Sequence, residues 1–211
     1  IDAKLPPWLH ALTMAAREVG GKQIQNVATV GGNLCNASPA ADGTAALLAL
    51  NASVQLQRVG AVRDLAVGDF VLGNRSTVIR PDELLCAINI PLPSTNAKST
   101  FLKLGARRYL VISIVMVAAM IEADESGTVV NATLCVGACS ARASRLLGAE
   151  AALVGNKIGD DLPHCIQPEH FNELSPIDDV RADATYRREC ALTLSQRAIM
   201  DLSSKFERHN D

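Results

Sequence analysis

Gln23-Ile24-Gln25-Asn26-Val27-Ala28-Thr29-Val30-Gly31-Gly32-Asn33-Leu34-Cys35-Asn36-Ala37-Ser38-Pro39-Ala40-Ala41-Asp42 is the stretch on which the reading of this chain turns. Two adjacent glycines, Gly31 and Gly32, let a ligand come close to the backbone, and successive free amides form an anion-binding hollow. Ser38 followed by Pro39 predicts an N-cap and first helical residue. Such a helix start carries roughly half a positive charge, which suits a pyrophosphate. The same pattern also fits a tight turn entering a buried helix.

Working outward, Pro7–Val19 places Trp8, Leu12, Ala15, Ala16 and Val19 on one face before Gly20-Gly21, which predicts a helix. Residues 20–37 read as an irregular loop and Ser38–Leu50 as a short helix. Val54 and Leu56 alternate with Gln55 and Gln57 in a half-exposed strand, Ser53–Arg58. A turn-rich element over Leu65–Gly73 and a strand over Leu84–Ile90 follow. Pro91-Leu92-Pro93-Ser94-Thr95-Asn96 is the best boundary, dividing the chain into segments 1–96 and 97–211.

Beyond it, Thr100–Leu104, Ser113–Ala123 and Thr128–Ala138 read as three antiparallel strands, with a hairpin at Glu125-Ser126-Gly127. Helices are expected at Ser144–Val154, near Pro168–Leu174, and at Ala182–Glu207. The last carries an apolar stripe of Ala191, Leu194, Ala198, Leu202 and Phe206. Strands followed by helices give an α+β fold: a mixed or antiparallel sheet, then a three-stranded antiparallel sheet packed by C-terminal helices.

The 211 residues are 48% hydrophobic but only 3% aromatic, so the core must be aliphatic and alanine-rich. A net charge of -2 with interspersed signs argues against nucleic acid. The longest apolar run, near Tyr109–Ile121, is broken by Ser113 and reads as a buried strand rather than a membrane span. The six cysteines are scattered, with Cys135 and Cys139 the only close pair, and neither a zinc nor a cluster spacing results. None of His10, His164, His170 and His209 has ligand spacing, so none is expected to matter and no metal site is expected on the chain.

Ala28-Thr29-Val30-Gly31-Gly32-Asn33, then Ala37-Ser38-Pro39-Ala40-Ala41-Asp42, resembles the second glycine motif of a known family. That family is the FAD-binding medium subunit of molybdenum hydroxylases, of the xanthine dehydrogenase and carbon monoxide dehydrogenase type. The resemblance continues in order through Arg80-Pro81-Asp82-Glu83-Leu84-Leu85, Ile88-Asn89-Ile90-Pro91, Phe101-Leu102-Lys103-Leu104-Gly105, Arg107-Arg108 and Pro176–Arg187. Family members begin with a further subdomain carrying a first Gly-Gly loop. This sequence starts at Ile1-Asp2-Ala3-Lys4-Leu5, so a truncated chain or one half of a split subunit is expected, with that subdomain supplied separately.

The resemblance implies a cytoplasmic, heteromeric oxidoreductase. Electrons leave a molybdenum cofactor on a large subunit, cross [2Fe–2S] clusters on a small subunit, reach FAD here, and pass to NAD+ or another acceptor. Carried over by position, Thr29, Gly31, Gly32 and Asn33 would meet the FAD pyrophosphate, and Cys35 and Asn36 would flank the flavin ring. Asp42 would accept from the ribityl or ribose region, Leu85 would pack on the ring or adenine, and Lys103 would approach the flavin's polar edge. Protein redox chemistry of this kind asks the chain to hold and tune the cofactor. The competing expectation is a cofactor-free module that only docks other subunits. A vanillyl-alcohol-type flavin oxidase ranks lower, since no flavin-attachment histidine or long substrate domain is present.

Overall fold

A computed structural model describes residues 5–207. His209 and the first four residues, on which the expectation of a missing subdomain partly rests, lie outside the described residues.

A 3-10 turn at Pro7–Leu9 leads into α1 (His10–Glu18). Two short helices follow, α2 (Lys22–Val27) and α3 (Val30–Cys35), and then α4 (Asp42–Ala49). Strands β1 (Ser53–Arg58), β2 (Ala61–Ala66) and β5 (Leu84–Asn89) make an antiparallel sheet in the order β2-β1-β5. Between β2 and β5 lie the single turn α5 (Val67–Phe70) and the small ribbon β3 (Val71–Gly73) and β4 (Ser76–Thr77). The second sheet runs β6 (Asn96–Leu104), β7 (Val115–Ala123), β8 (Val129–Gly137) and β9 (Ser144–Arg145), all antiparallel. Helix α6 (Leu147–Leu153), 3-10 turns at Leu162–Cys165 and Pro168–Phe171, and the long α7 (Ala184–Glu207) complete it.

The expected α+β class holds. Every residue of β7 is buried because both faces of its sheet are covered, which removes the need for polar alternation. Val115, Val117, Ala119 and Ile121 pack with Leu134, Val136, Leu153, Ala198 and Leu202 on the side of α6 and α7. Met116 and Ala118 point the other way, into a core shared with Ala11 and Ala15 of α1 and with Leu47 and Leu48 of α4. That second core also takes Val54 and Leu56 of β1, so the segments before and after residue 96 share one interior. Helix α4 is buried around its whole circumference, which is why its sequence, Asp-Gly-Thr-Ala-Ala-Leu-Leu-Ala, has no polar stripe. Thr133 Oγ1 donates to the Ala49 carbonyl at 2.5 Å and pins the end of α4 to β8.

The sheet has four strands where three are expected. Ser144 and Arg145, read from sequence as helix, pair with Val136 and Cys135, and the helix starts only at Leu147. The edge of β8 supplies amides and carbonyls that must be satisfied. Leu146 N bonds to Leu134 O at 2.9 Å, and the Glu150 carboxylate accepts from Leu134 N at 2.9 Å. The hairpin expected at Glu125–Gly127 forms, with Gly127 at φ +75°.

The small sheet is clamped by an ion pair. Arg63 meets Glu83 through two bonds, at 2.7 and 2.8 Å, while Arg80 N donates to the same carboxylate at 2.9 Å. The Arg63 guanidinium foremost, with the Arg80 amide, holds the Glu83 carboxyl at about 2, against an ordinary 4.5. The folded state therefore binds this proton less readily than the unfolded chain. The stabilisation is complete above about pH 4.5, erodes below it, and is gone once the pH has fallen through about 2. Glu83→Gln is expected to flatten that acid limb in denaturant melts taken across the window. An unchanged slope would remove the clamp's role.

Candidate functional site

Residues 20–37 are not an irregular loop, as the sequence suggests, but a turn and two short helices. Gly20 takes φ +55° and Gly21 is the N-cap of α2. Thr29 is extended and caps α3, its Oγ1 accepting from Gly32 N at 2.9 Å. Asn33 N reaches Thr29 O at 2.9 Å. The amides of Val30 and Gly31, first and second in α3, have no acceptor within the helix. Thr29, Val30 and Gly32 are exposed and Gly31 is half-buried.

The two glycines have different tasks. A Cβ on Gly32 would stand 2.9 Å from Thr29 Oγ1 and spoil the cap. One on Gly31 would only touch Leu85 Cδ2 at 3.4 Å, so Gly31 is dispensable for packing within the chain. What requires a glycine there is open space for something that approaches the backbone.

A cavity of about 260 Å³ opens beside this turn, lined by Leu12, Ala16, Val19, Thr29, Asn33 and Gly43 among others. Asn33 lines this cavity, and its Oδ1 is buried against Gly43 with no hydrogen-bond partner among the described residues. Unpaired buried acceptors are rare and each calls for a donor. Gly43 makes room for this oxygen, since a Cβ there would fall 2.7 Å from it.

Ser38 and Pro39 do not start a helix. Ala41 N bonds to Ser38 O at 3.0 Å and Ser38 Oγ accepts from Ala40 N at 3.3 Å, closing a turn with Pro39 at its second position. Proline's fixed φ suits that position as well as the first turn of a helix, which is why the sequence misleads here. Helix α4 begins at Asp42 with Ala41 as its cap, and all its residues are buried. Within the glycine motif, the exposed helix start is that of α3.

Asp42 and Lys103, expected to meet different parts of one ligand, are bonded to each other. Lys103 Nζ lies 2.7 Å from Asp42 Oδ2, and both side chains are more than 90% buried. Ser113 Oγ donates to Asp42 Oδ1 at 2.7 Å, and Lys103 Nζ also lies 3.5 Å from the Glu18 carbonyl. Burial pushes the Asp42 carboxyl up more than the bonds from Lys103 and Ser113 pull it down, and the charge of Glu18 adds to the rise. Asn36 Oδ1 accepts from Arg75, while Cys35 is exposed at the end of α3 with its thiol raised by partial burial.

The structure thus gathers Thr29, Gly31, Gly32, Asn33 and Leu85 around α3, with Cys35 and Asn36 at its far end. Asp42 and Lys103 form a separate buried pair one residue from Gly43. Gly43 and Ser113 were not singled out from sequence as site residues. The one available signal was Ser113 as the polar break in an apolar run. Among the described residues no group of three or more His, Cys, Asp and Glu side chains could hold a metal ion. No helix there is long and apolar enough to cross a membrane.

Two family descriptions match the chain end to end: the FAD binding domain in molybdopterin dehydrogenase over residues 2–93, and the CO dehydrogenase flavoprotein C-terminal domain over 100–202. A nicotinate dehydrogenase FAD-subunit from Eubacterium barkeri is 28% identical, over 94% of this chain and 68% of its own length. A xanthine dehydrogenase FAD-binding subunit from Escherichia coli is 27% identical, over 92% of this chain and 66% of its own. Among solved structures, quinoline 2-oxidoreductase from Pseudomonas putida 86 superposes with a TM-score of 0.82 at 25% identity, covering 91% of this chain and 66% of that one. The chain therefore spans about two thirds of the length of the relatives it matches.

Proposed function

This chain belongs to the FAD-binding medium-subunit family of the molybdenum hydroxylases, and from that membership and its geometry we propose that it binds FAD and relays electrons. The observation that carries the proposal is the exposed Thr29–Gly32 turn beside a cavity lined by Thr29, Val30 and Asn33. A dinucleotide supplies what each part lacks. The free amides of Val30 and Gly31 are donors for phosphate oxygens. Thr29 Oγ1 accepts from Gly32, which leaves its hydroxyl proton for the same anion. The Asn33 side-chain amide, which lines the cavity, offers a further donor and acceptor to the cofactor. Gly31 permits close approach, and Leu85 behind it offers an apolar surface.

When bound, FAD accepts electron pairs and releases them singly or together. The chain's own work is to bind and orient it and to keep water from its edge. In this reading electrons arrive from [2Fe–2S] clusters on a small partner subunit, fed by a molybdenum cofactor on a large one, and leave to NAD+ or another acceptor. The Asp42–Lys103 pair adjoins the cavity wall through Gly43, the residue after Asp42. Were a bound cofactor to take over the Asp42 bond, Lys103 would be released to favour negative charge on the reduced cofactor.

The docking-module reading has one observation in its favour. No residue of α2 is buried, and Ile24 and Val27 are 51% and 80% exposed.

Thiol labelling tests the FAD reading. Cys35 and Cys86 are exposed, whereas Cys135 and Cys139 are buried and burial raises both thiols, Cys139 to about 12. Alkylation of the native chain is expected to reach Cys35 and Cys86 and to spare Cys135 and Cys139. Saturating FAD should slow Cys35 severalfold and leave Cys86, exposed on β5, unchanged. Equal Cys35 rates with and without FAD would count against the placement.

A further inference from the structure

Strands β6 and β7 are joined by ten residues, 105–114, of which the first eight, Gly105–Ile112, form a loop with no strand of its own. It exposes Arg107, Arg108, Tyr109, Leu110 and Ile112, and Leu110 takes φ +53°, a left-handed conformation that a leucine adopts only when held there. Inside the loop, Arg107 donates to the Leu110 carbonyl, and Gly105 has no room for a Cβ, which would fall 2.5 Å from Val111 Cγ1. At its tip Leu110 Cδ2 packs on Gly21, 3.1 Å from where a Cβ would stand. The loop therefore rests on the turn that opens the glycine segment.

Its neck is fastened in one place. Ile114 N bonds to Leu104 O at 2.8 Å, and the residues preceding each, Lys103 and Ser113, both reach Asp42. Each oxygen of one carboxylate thus takes one side of the neck. Asp42 opens α4, and the next residue, Gly43, lines the same cavity as Asn33. Loop and cavity wall are tied to the same point of the chain.

We propose that Asp42 is a positioning residue: by bonding Lys103 and Ser113 at once, it clasps the neck of the Gly105–Ile112 loop and holds that loop against Gly21, the residue that caps α2 and leads into the glycine segment. The clasp stands on the geometry alone. Its consequence for cofactor affinity rests on the FAD reading above.

Trypsin reads the clasp directly, because Arg107 and Arg108 lie in the loop. Exposed Arg181, in the 175–183 segment on the far side of Asp179, serves as an internal reference. In Ser113→Ala and in Asp42→Asn, cleavage after Arg107 and Arg108 is expected to rise about tenfold over the wild type while cleavage after Arg181 stays constant. Ser113→Ala removes one hydroxyl and keeps the Asp42–Lys103 pair, so it remains informative if Asp42→Asn fails to fold. Loop cleavage unchanged, or raised in step with Arg181, would overturn the clasp, since the second pattern is general destabilisation. FAD titration of the same proteins separates the two claims. Selective loop opening with weakened flavin binding supports the whole proposal, and selective opening with unaltered affinity overturns the link from the loop to the glycine segment. If the wild type binds no FAD, the functional reading and that link fail together, and the cleavage ratio still decides the clasp.

Discussion

Arg187→Met is expected to destabilise the fold by about 3–5 kcal/mol, the cost of leaving buried partners of a guanidinium unmatched. The Arg187 side chain is 3% exposed. Its Nη1 donates to Ile114 O at 2.6 Å and Ala138 O at 3.1 Å, and its Nη2 meets Asp179 Oδ1 at 2.7 Å. One side chain therefore joins the start of β7, the end of β8 and the loop before α7. Burial raises the Asp179 carboxyl, but the Arg181 amide and the Arg187 guanidinium outweigh it and hold the group below 3.8. Methionine would keep the volume and lose every bond. For a chain of this size each kcal/mol moves the melting temperature by about 2–4 °C, so thermal melts should fall by roughly 6–20 °C. A drop of only about 2 °C or less would show that water or a neighbour replaces the guanidinium.

The second large effect falls on binding and leaves folding untouched. Gly31→Asp places a carboxylate on the two free amides of the α3 turn. Its Cβ meets only Leu85 Cδ2, at 3.4 Å, so the melting temperature should hardly move. Two hydrogen bonds to a charged phosphate are worth about 1.5–3 kcal/mol each. Losing both would weaken FAD binding by about 10²–10⁴-fold, before any charge repulsion is counted. Gly31→Ala should weaken binding less and Gly32→Ala should also disturb the Thr29 cap, since its Cβ would come within 2.9 Å of that hydroxyl. FAD affinity that survives Gly31→Asp would move the cofactor away from this turn.

The longer strands β1, β5, β6, β7 and β8 were the legible part of this chain, whereas β2, β3, β4 and β9 were not. Alternation marked β1, and a long apolar run interrupted by Ser113 marked β7, because a strand covered on both faces has no reason to alternate. Gly127 fixed the hairpin between β7 and β8. The short helices were not legible. Gly31 and Gly32 are poor helix formers, and α3 exists because Thr29 caps it and Leu34 is buried beneath it. Its hydrogen bonds are local but its reason to form is tertiary. The start of α4 was misplaced by four residues because Pro39 serves a turn as readily as a helix. For the site, the glycine motif and Asn33 could be read from residues and resemblance. The meeting of Asp42 with Lys103 and Ser113, residues 61 and 71 positions away, could not. Such contacts depend on how α4 lies across β7 and β8, and no local pattern encodes that.

The central claim is that the Thr29–Gly32 turn and the cavity beside it bind FAD, and a titration of the purified chain with FAD tests it most directly. Flavin fluorescence and absorbance are followed for the wild type and for Gly31→Asp. Saturable one-to-one quenching by the wild type, lost in Gly31→Asp while both proteins melt together, is the predicted result. No quenching by the folded wild type, or equal quenching by both, would contradict the account and leave the exposed face of α2, with Ile24 and Val27, as a docking surface.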